Sequence, residues 1–253
     1  MNSLKTDAAR VDDALDARLA EIRGRVAASA RRAGRAPEEI TLIAVSKTHA
    51  AEAVRRALSA GVVDFGENRV QEAEEKIEAI GRAEADGGVA LGARWHLIGH
   101  LQSNKARRAV KLFDVIHTVD SPELMERLER MCVEEGRAEL RVLLQVDLAG
   151  EETKAGARVE ALPALVAQAA ACKHVRLAGL MTLPPFYAEV ERVRPFFRRL
   201  RELRDELGGR GAFGAGRGEL SMGMSHDFEV AIEEGATMVR VGTAIFGARS
   251  PGN

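Results

Sequence analysis

The sequence predicts an α/β protein, a single (β/α)8 barrel with one extra helix in front. Three observations lead there. Short β-branched apolar runs alternate with helical stretches along the whole chain. The runs lack the polar alternation of a half-exposed sheet, so they read as parallel strands buried on both faces. There are eight of them, the number that closes into a barrel. An open doubly wound sheet is the rival arrangement. No glycine fingerprint follows the first strand, which weakens the dinucleotide-binding form of that rival.

The extra helix comes first. Val11, Leu15, Leu19, Ile22 and Val26 recur at helical spacing with charges between them, and the pattern ends near Gly34. Residues 1–36 are expected to pack this stripe on the outside of the barrel. The first strand is ITLIAV, residues 40–45. A helix over 51–60 stops at Gly61, a second strand is expected at 62–65, and a helix over 71–80 follows. Further strands are predicted at 94–98, 115–118, 140–146, 175–180, 219–222 and 237–241. Helices over 103–110, 123–135, 159–171, 190–207 and 228–234 separate them. No linker interrupts the pattern, so residues 1–253 read as one domain.

Two stretches invite a functional reading and have a plainer one. GGRGAFGAGRG (208–218) lacks the GK[ST] ending of a phosphate loop and reads as a flexible connection. Six arginines lie between Arg192 and Arg204, interleaved with acids and with Val193, Phe196, Leu200 and Leu203 at helical spacing. That is the solvated outer face of a barrel helix rather than a nucleic-acid patch.

Composition narrows the function. Hydrophobic residues are 46 % and charged residues 30 %, which excludes whole-chain disorder. A net charge of -1 argues against a coat for nucleic acid or an anionic membrane. Aromatics are only 4 %, too few for single-strand stacking platforms. Cys132 and Cys172 form no CxxC pair, and two reduced thiols are expected. No signal-peptide core is visible, and no apolar run reaches the ~18 residues of a membrane span. A cytoplasmic monomer that binds neither membrane nor nucleic acid is expected.

Barrel active sites sit at the C-terminal ends of the strands. Those ends supply Ser46 and Lys47; Gly66, Glu67 and Asn68; His96, Gly99 and His100; His117, Thr118 and Asp120; Gln145 and Asp147; Met181 and Thr182; Ser221, Met222, Gly223, Met224 and Ser225; and Arg240, Gly242 and Thr243. Lys47 lies one residue beyond the apolar first strand, after Ser46. Partial desolvation there would lower its pKa and free the amine to attack a carbonyl. A lysine that snorkels to solvent is the alternative.

SMGMS (221–225) lies between a strand and a helix, and Ser225 reads as that helix's N-cap. Gly242 and Thr243 open the final helix in the same way. Together they resemble the phosphate site that barrels build after strands seven and eight. A phosphate cup opposite a strand-one lysine points jointly to pyridoxal phosphate. Arg240 would then lie beside the pyridine ring, where an always-charged group leaves the ring nitrogen unprotonated. A buried structural ion pair is its alternative role. His96 and His100 at i, i+4 straddle a strand end and make a poor metal site. Asp64, Glu67, Asp120 and Asp147 are scattered carboxylates, and spacing brackets no two of them.

With these residues in hand, the chain resembles the YggS/PROSC family of pyridoxal phosphate (PLP) homeostasis proteins. The matching segments are LIAVSKTHA (42–50), DFGENRVQEAEEK (64–76), RWHLIGHLQSNKAR (94–107), HTVDS (117–121), AGLMTLPP (178–185) and LSMGMSHDFEVAIEEGATMVRVGTAIFGAR (220–249). They span nearly everything beyond the first helix. The resemblance implies a TIM barrel like the N-terminal domain of bacterial alanine racemase, with PLP held as a Schiff base on Lys47. It implies that Asn68 and His96 line the cofactor. Ser221 and Ser225, with Gly242 and Thr243, would hold the phosphate, Met222 would be a further cofactor-binding residue, Arg240 would face the ring nitrogen, and Lys154 would add a secondary contact.

It also implies a role in vitamin B6 homeostasis without robust catalysis, with apo PLP-dependent enzymes as candidate recipients. The alternative is a barrel-only PLP-dependent amino-acid racemase. Racemization needs a proton-exchanging group on each face of the substrate, and Lys47 can serve one. Fold-related racemases supply the second as a tyrosine from an additional β-domain. Thirteen residues follow Arg240 here, and the one tyrosine, Tyr187, lies in the loop after strand six.

Overall fold

In the computed structural model, which describes residues 2–85, 92–150 and 155–247, eight parallel strands form a ring. They are β1 (Thr41–Val45), β2 (Asp64–Glu67), β3 (Arg94–Leu97), β4 (Val115–Val119), β5 (Leu140–Gln145), β6 (Val175–Met181), β7 (Glu219–Met224) and β8 (Met238–Val241). Each pairs with the next, and β8 pairs back onto β1 through Ile43↔Arg240 and Ala44↔Val241. The barrel expected from the alternation is therefore closed, and the open-sheet rival is gone.

The helices are α1 (Asn2–Arg32), α2 (Ala51–Ser59), α3 (Val70–Ala85), α4 (Ala106–Leu112), α5 (Pro122–Glu135), α6 (Leu162–Ala171), α7 (Arg194–Gly208), α8 (Phe228–Glu233) and α9 (Thr243–Phe246). α1 ends in a left-handed glycine: Gly34 has φ 67°, and Arg35 N–H reaches back to Ala30 O at 2.9 Å. That is the bond pattern that stops a helix cleanly. Its stripe of Leu15, Leu19, Ile22 and Val26 is buried against the barrel's outer layer. Each such side chain contributes about 1.5–3 kcal/mol on burial. The Val11 side chain lies outside the described residues. Polar contacts fix the helix further: Arg18 Nε donates to Ile245 O at 2.6 Å, and Arg25 forms a forked pair with Glu229.

Several boundaries moved for local reasons. Val62 does not start β2, because its N–H bonds Ala57 O at 2.9 Å and closes the exit of α2. β7 runs two residues past the expected Met222, to Met224. The helices expected from residues 159 and 190 begin as 3-10 turns, and α6 and α7 then start with Pro163 and Pro195 in their first turns. Proline is favoured there because its missing N–H has no intrahelical partner to lose. Pro195 thus lies where α7 opens and breaks no bond inside it.

Strand parity divides the buried residues into two layers. Alternate side chains such as Ala44, Phe65, Leu97, Ile116 and Leu144 pack outward among the helices. Ile43, Val115, Leu143, Met181 and Met238 form a small apolar cluster inside the ring. Beside them the interior also holds buried polar side chains, among them Asp64, His96, His117, Ser221 and Arg240, and these carry the chemistry.

Candidate functional site

Lys47 follows β1 at the mouth of the barrel and is half-buried. The backbone on both sides of it is clamped from α3. Lys76 is buried and donates from Nζ to Ser46 O at 2.7 Å, to Glu67 Oε1 at 2.5 Å and to Glu72 Oε1 at 2.8 Å. Glu72 in turn accepts the Thr48 N–H. Thr48 has φ 67°, the left-handed region that a β-branched residue rarely occupies. Such strain costs on the order of 1–3 kcal/mol and persists only where surroundings impose it. Ser46 Oγ also donates to Glu67 Oε1, at 2.6 Å. Burial pushes the Glu67 carboxyl above its usual range, against the hydrogen bonds from Lys76 and Ser46.

The loop after β7 differs from the expected cap. α8 begins at Phe228, with Asp227 at its N-cap position, so Ser225 does not cap it. Asp227 Oδ1 instead accepts the Met224 N–H at 2.6 Å. Ser225 Oγ accepts the Gly242 N–H at 3.3 Å and ties the β7 loop to the end of β8. Gly242 does precede α9, as expected, and Thr243 beside it is exposed. α8 and α9 have six and four residues, too short for a large helix dipole. Anion-binding capacity here comes from individual hydroxyl and N–H groups. Gly223 holds the turn: at φ 90°, an added Cβ would sit 2.5 Å from Ala231 Cβ. Met222 is fully buried among the helices, on the opposite face of β7 from Ser221. Its side chain points away from the barrel interior, not into the mouth.

Below the mouth, Arg240 is buried in register with Ile43. It donates to Ser221 Oγ at 2.5 Å and to Thr182 O at 3.0 Å. Burial pushes its pKa down to about 10, while the Asp227 charge acts the other way. It therefore stays a cation and a donor at neutral pH. Its hydrogen bonds go to a hydroxyl and a carbonyl, and among the described residues it forms no ion pair of the kind considered as its alternative role. Ser221 Oγ lies 2.9 Å from His117 Nδ1, His117 Nε2 lies 2.9 Å from His96 Nδ1, and His96 Nε2 lies 2.9 Å from Asp64 Oδ1. Burial, reinforced by the Arg240 charge, pushes His117 well below the usual histidine range. Burial alone would raise Asp64, but hydrogen bonds from His96 and Arg94 outweigh it and hold the carboxyl low.

The remaining expectations fall out as follows. Asn68 stands half-buried just past β2, and its backbone packs so closely on Gly99 that a Cβ there would lie 2.3 Å from Asn68 O. His96 does not stand at the mouth. Both its ring nitrogens are committed to the interior, and it lines a cavity of about 350 Å³ at the N-terminal ends of the strands. Lys154 lies outside the described residues. Asp64 and Glu67 cannot act as a pair, because three residues apart on one strand they face opposite sides of the sheet. Asp147 closes its own loop by accepting the Ala149 and Gly150 N–H groups. His100 is exposed, and among the described residues no three His, Cys, Asp or Glu side chains are placed to hold a metal. Tyr187 stacks on Phe196 at 6.0 Å under Arg192 at 4.6 Å. Cys132 and Cys172 are free thiols, each pushed up to about 11 by burial. Among the described residues no helix is long and apolar enough to cross a membrane.

Sequence reasoning missed His117 and Lys76. His117 was visible as a strand-end residue, and strand parity puts it inside the barrel with Val115. Lys76 carried only the i, i+4 spacing from Glu72, which usually marks a solvated pair.

Comparison with known proteins follows the same lines. Residues 17–250 match the family described as alanine racemase, N-terminal domain. The pyridoxal phosphate homeostasis protein of Aquifex aeolicus (strain VF5) is 41 % identical, with 92 % of this chain and 97 % of the relative covered. That of Escherichia coli (strain K12) is 44 % identical, over 91 % of this chain and 95 % of its own. Among solved structures, PipY of Synechococcus elongatus PCC7942 with PLP bound superposes with a TM-score of 0.77 at 41 % identity, covering 92 % of this chain and all 100 % of PipY. Alanine racemase of Clostridium difficile 630 shares the fold at a TM-score of 0.63 and 18 % identity, with 85 % of this chain matched to 54 % of the racemase.

Proposed function

The chain belongs to the pyridoxal phosphate homeostasis protein family, and from that membership we propose that it binds PLP covalently through Lys47. In this reading it carries or buffers the cofactor in vitamin B6 homeostasis, as a monomeric single barrel in the cytoplasm, and delivers it to apo-enzymes. The observation that carries the reading is the donor set gathered at one end of the barrel. A half-buried primary amine, the Ser225 and Thr243 hydroxyls, the Gly242 turn and a buried guanidinium all belong to β1, β7 and β8 or their exits. That set suits a phosphorylated aromatic aldehyde: an amine for the aldehyde, donors for a dianion, and a cation for a ring nitrogen. The relative PipY, solved with PLP bound, supports the same ligand.

Bound there, PLP supplies an aldehyde that condenses with a primary amine, with loss of water. The chain's own residues do the rest. Lys76 and Glu72 hold the Ser46 carbonyl and the Thr48 N–H, and so aim Lys47 between them. Ser225 and Thr243, with N–H groups of the β8 exit, would hold the phosphate, and Asn68 would flank the ring. Arg240 keeps its protons, so it would donate to the ring nitrogen without protonating it. That restraint suits storage better than turnover. The relatives are named as homeostasis proteins, and Tyr187 is engaged by Phe196 and Arg192. Both support a carrier over a racemase.

The test is an absorbance scan of protein loaded with PLP, with and without borohydride reduction. Wild type should show a visible band and a fixed adduct, and Lys47→Ala should show neither. An adduct retained in the variant would move the anchor to another lysine. Rapid α-deuterium incorporation into L-alanine with formation of the D-isomer would replace the carrier reading by the racemase one.

A further inference from the structure

We propose that Asp64, His96, His117 and Ser221 are positioning residues for Arg240, forming a hydrogen-bond chain of fixed direction across the barrel interior. The chain crosses five strands, β2, β3, β4, β7 and β8. All its members are buried, from Asp64 at 5 % exposure to Ser221 and His117 at 0 %. Its four links are 2.5–2.9 Å long. The ends decide the direction. Arg240 can only donate, and an ionised Asp64 can only accept. Arg94 completes the Asp64 end at 2.7 Å and favours its ionised form.

Between these ends, two neutral imidazoles allow one arrangement. His96 carries its proton on Nε2, facing Asp64, so its Nδ1 accepts. His117 therefore carries its proton on Nε2 as well, and its own Nδ1 accepts from Ser221. The Ser221 hydroxyl, having given its proton to His117, has its oxygen lone pairs turned to Arg240. Reversing the inner links needs a doubly protonated His96. That would put a second cation on a carboxylate that Arg94 already pairs. The chain thus presents Arg240 with an acceptor and never a competing donor. With Thr182 O accepting a second hydrogen bond, the guanidinium is held in one orientation. The consequence is that the N-terminal end of the barrel, where Asp64 and His96 line the 350 Å³ cavity, helps to build a ligand site at the other end.

This inference rests on the reading of Arg240 as a PLP contact, and the experiment separates the two. Histidine tautomers of the full chain, without PLP, are read from long-range proton–nitrogen spectra at neutral pH. His96 and His117 should both be neutral with the proton on Nε2. A proton on His117 Nδ1, or a charged His96, would overturn the chain. PLP affinity is then measured for His117→Leu and His117→Gln. Leucine breaks two links and should weaken binding about tenfold, the worth of one charge-assisted hydrogen bond. Glutamine offers one donor and one acceptor and should recover most of the loss. Wild-type affinity in His117→Leu would overturn the positioning role. Wild type with the expected tautomers but no PLP binding would instead refute the functional reading and leave the chain standing. Should a variant fail to fold, the wild-type tautomers still decide.

Discussion

Two buried polar systems share the four residues of β2, and they are built differently. Inside the ring, Asp64 ends a single file in which each hydrogen bond prepares the next. Outside it, Glu67 takes Lys76 and Ser46 on one oxygen, while Oε2 has no partner among the described residues. The two carboxyls respond in opposite directions: Asp64 is held below its ordinary range and Glu67 above it. The contrast shows that burial alone does not decide how a carboxylate behaves. Asp64 has a donor on each oxygen, and one of them is the guanidinium of Arg94. Glu67 has to spread one cation among three acceptors, because Lys76 also serves Glu72 and the Ser46 carbonyl.

The largest break in this comparison should come from Lys76→Met. It leaves Glu67 buried beside Glu72 without its cation, and losing one partner of a buried pair costs about 3–5 kcal/mol. Urea unfolding at neutral pH measures it, and a loss under about 1 kcal/mol would mean that Glu67 simply takes up a proton. Asp64→Asn should cost less, on the order of 1.5–3 kcal/mol, for charge-assisted bonds lost to His96 and Arg94.

The pH dependence sharpens the contrast. The depressed Asp64 contributes stability that is full above its unfolded pKa, near 3.8, and lost as pH falls through its lower folded value. Acid unfolding of Asp64→Asn should therefore be flatter than that of wild type. Glu67 has a raised pKa, so the folded state gains stability relative to the unfolded as pH drops toward 4.5. Glu67→Gln removes that gain and should steepen the acid side. Parallel profiles for the two variants would erase the distinction.

Smaller effects are expected at the mouth. Ser225→Ala or Thr243→Ala should weaken PLP binding about tenfold each, the order of a charge-assisted bond, with little change in unfolding midpoint. Unchanged affinity in both would place the phosphate elsewhere. Smallest is Thr48→Gly. Glycine relieves the left-handed strain, which is worth about 1–2 kcal/mol, and gives back about 0.5–1 kcal/mol in chain entropy. Stability should rise slightly while PLP affinity falls, because the Lys47 backbone is freer. Lower stability would show that the clamp imposes no strain.

Several residues of the proposed site stood out before the fold. Lys47 announced itself by following IAV at a strand end, and Arg240 and Thr243 by their place around the last strand. The cap expected at Ser225, where SMGMS reads locally as strand, turn and cap, did not form. The partner of Ser225, the Gly242 N–H, belongs to the next strand and is invisible to local spacing. The face of Met222 was equally hidden, since only the parity of β7, extended to Met224, shows that its side chain faces the helices.

What the sequence determined by itself was the alternation of buried strands and amphipathic helices, and hence the barrel. That information is local: apolar periodicity states which side of each segment is covered, and Gly and Pro mark where each segment stops. What the tertiary structure decided was which polar side chains meet. His96, His117 and Ser221 come from strands separated by 21 and 104 residues, and their contact depends on ring closure, strand stagger and the interior space left by Ile43, Val115 and Met238. Those quantities are set by the packing of all eight strands together, so no single segment could have stated them.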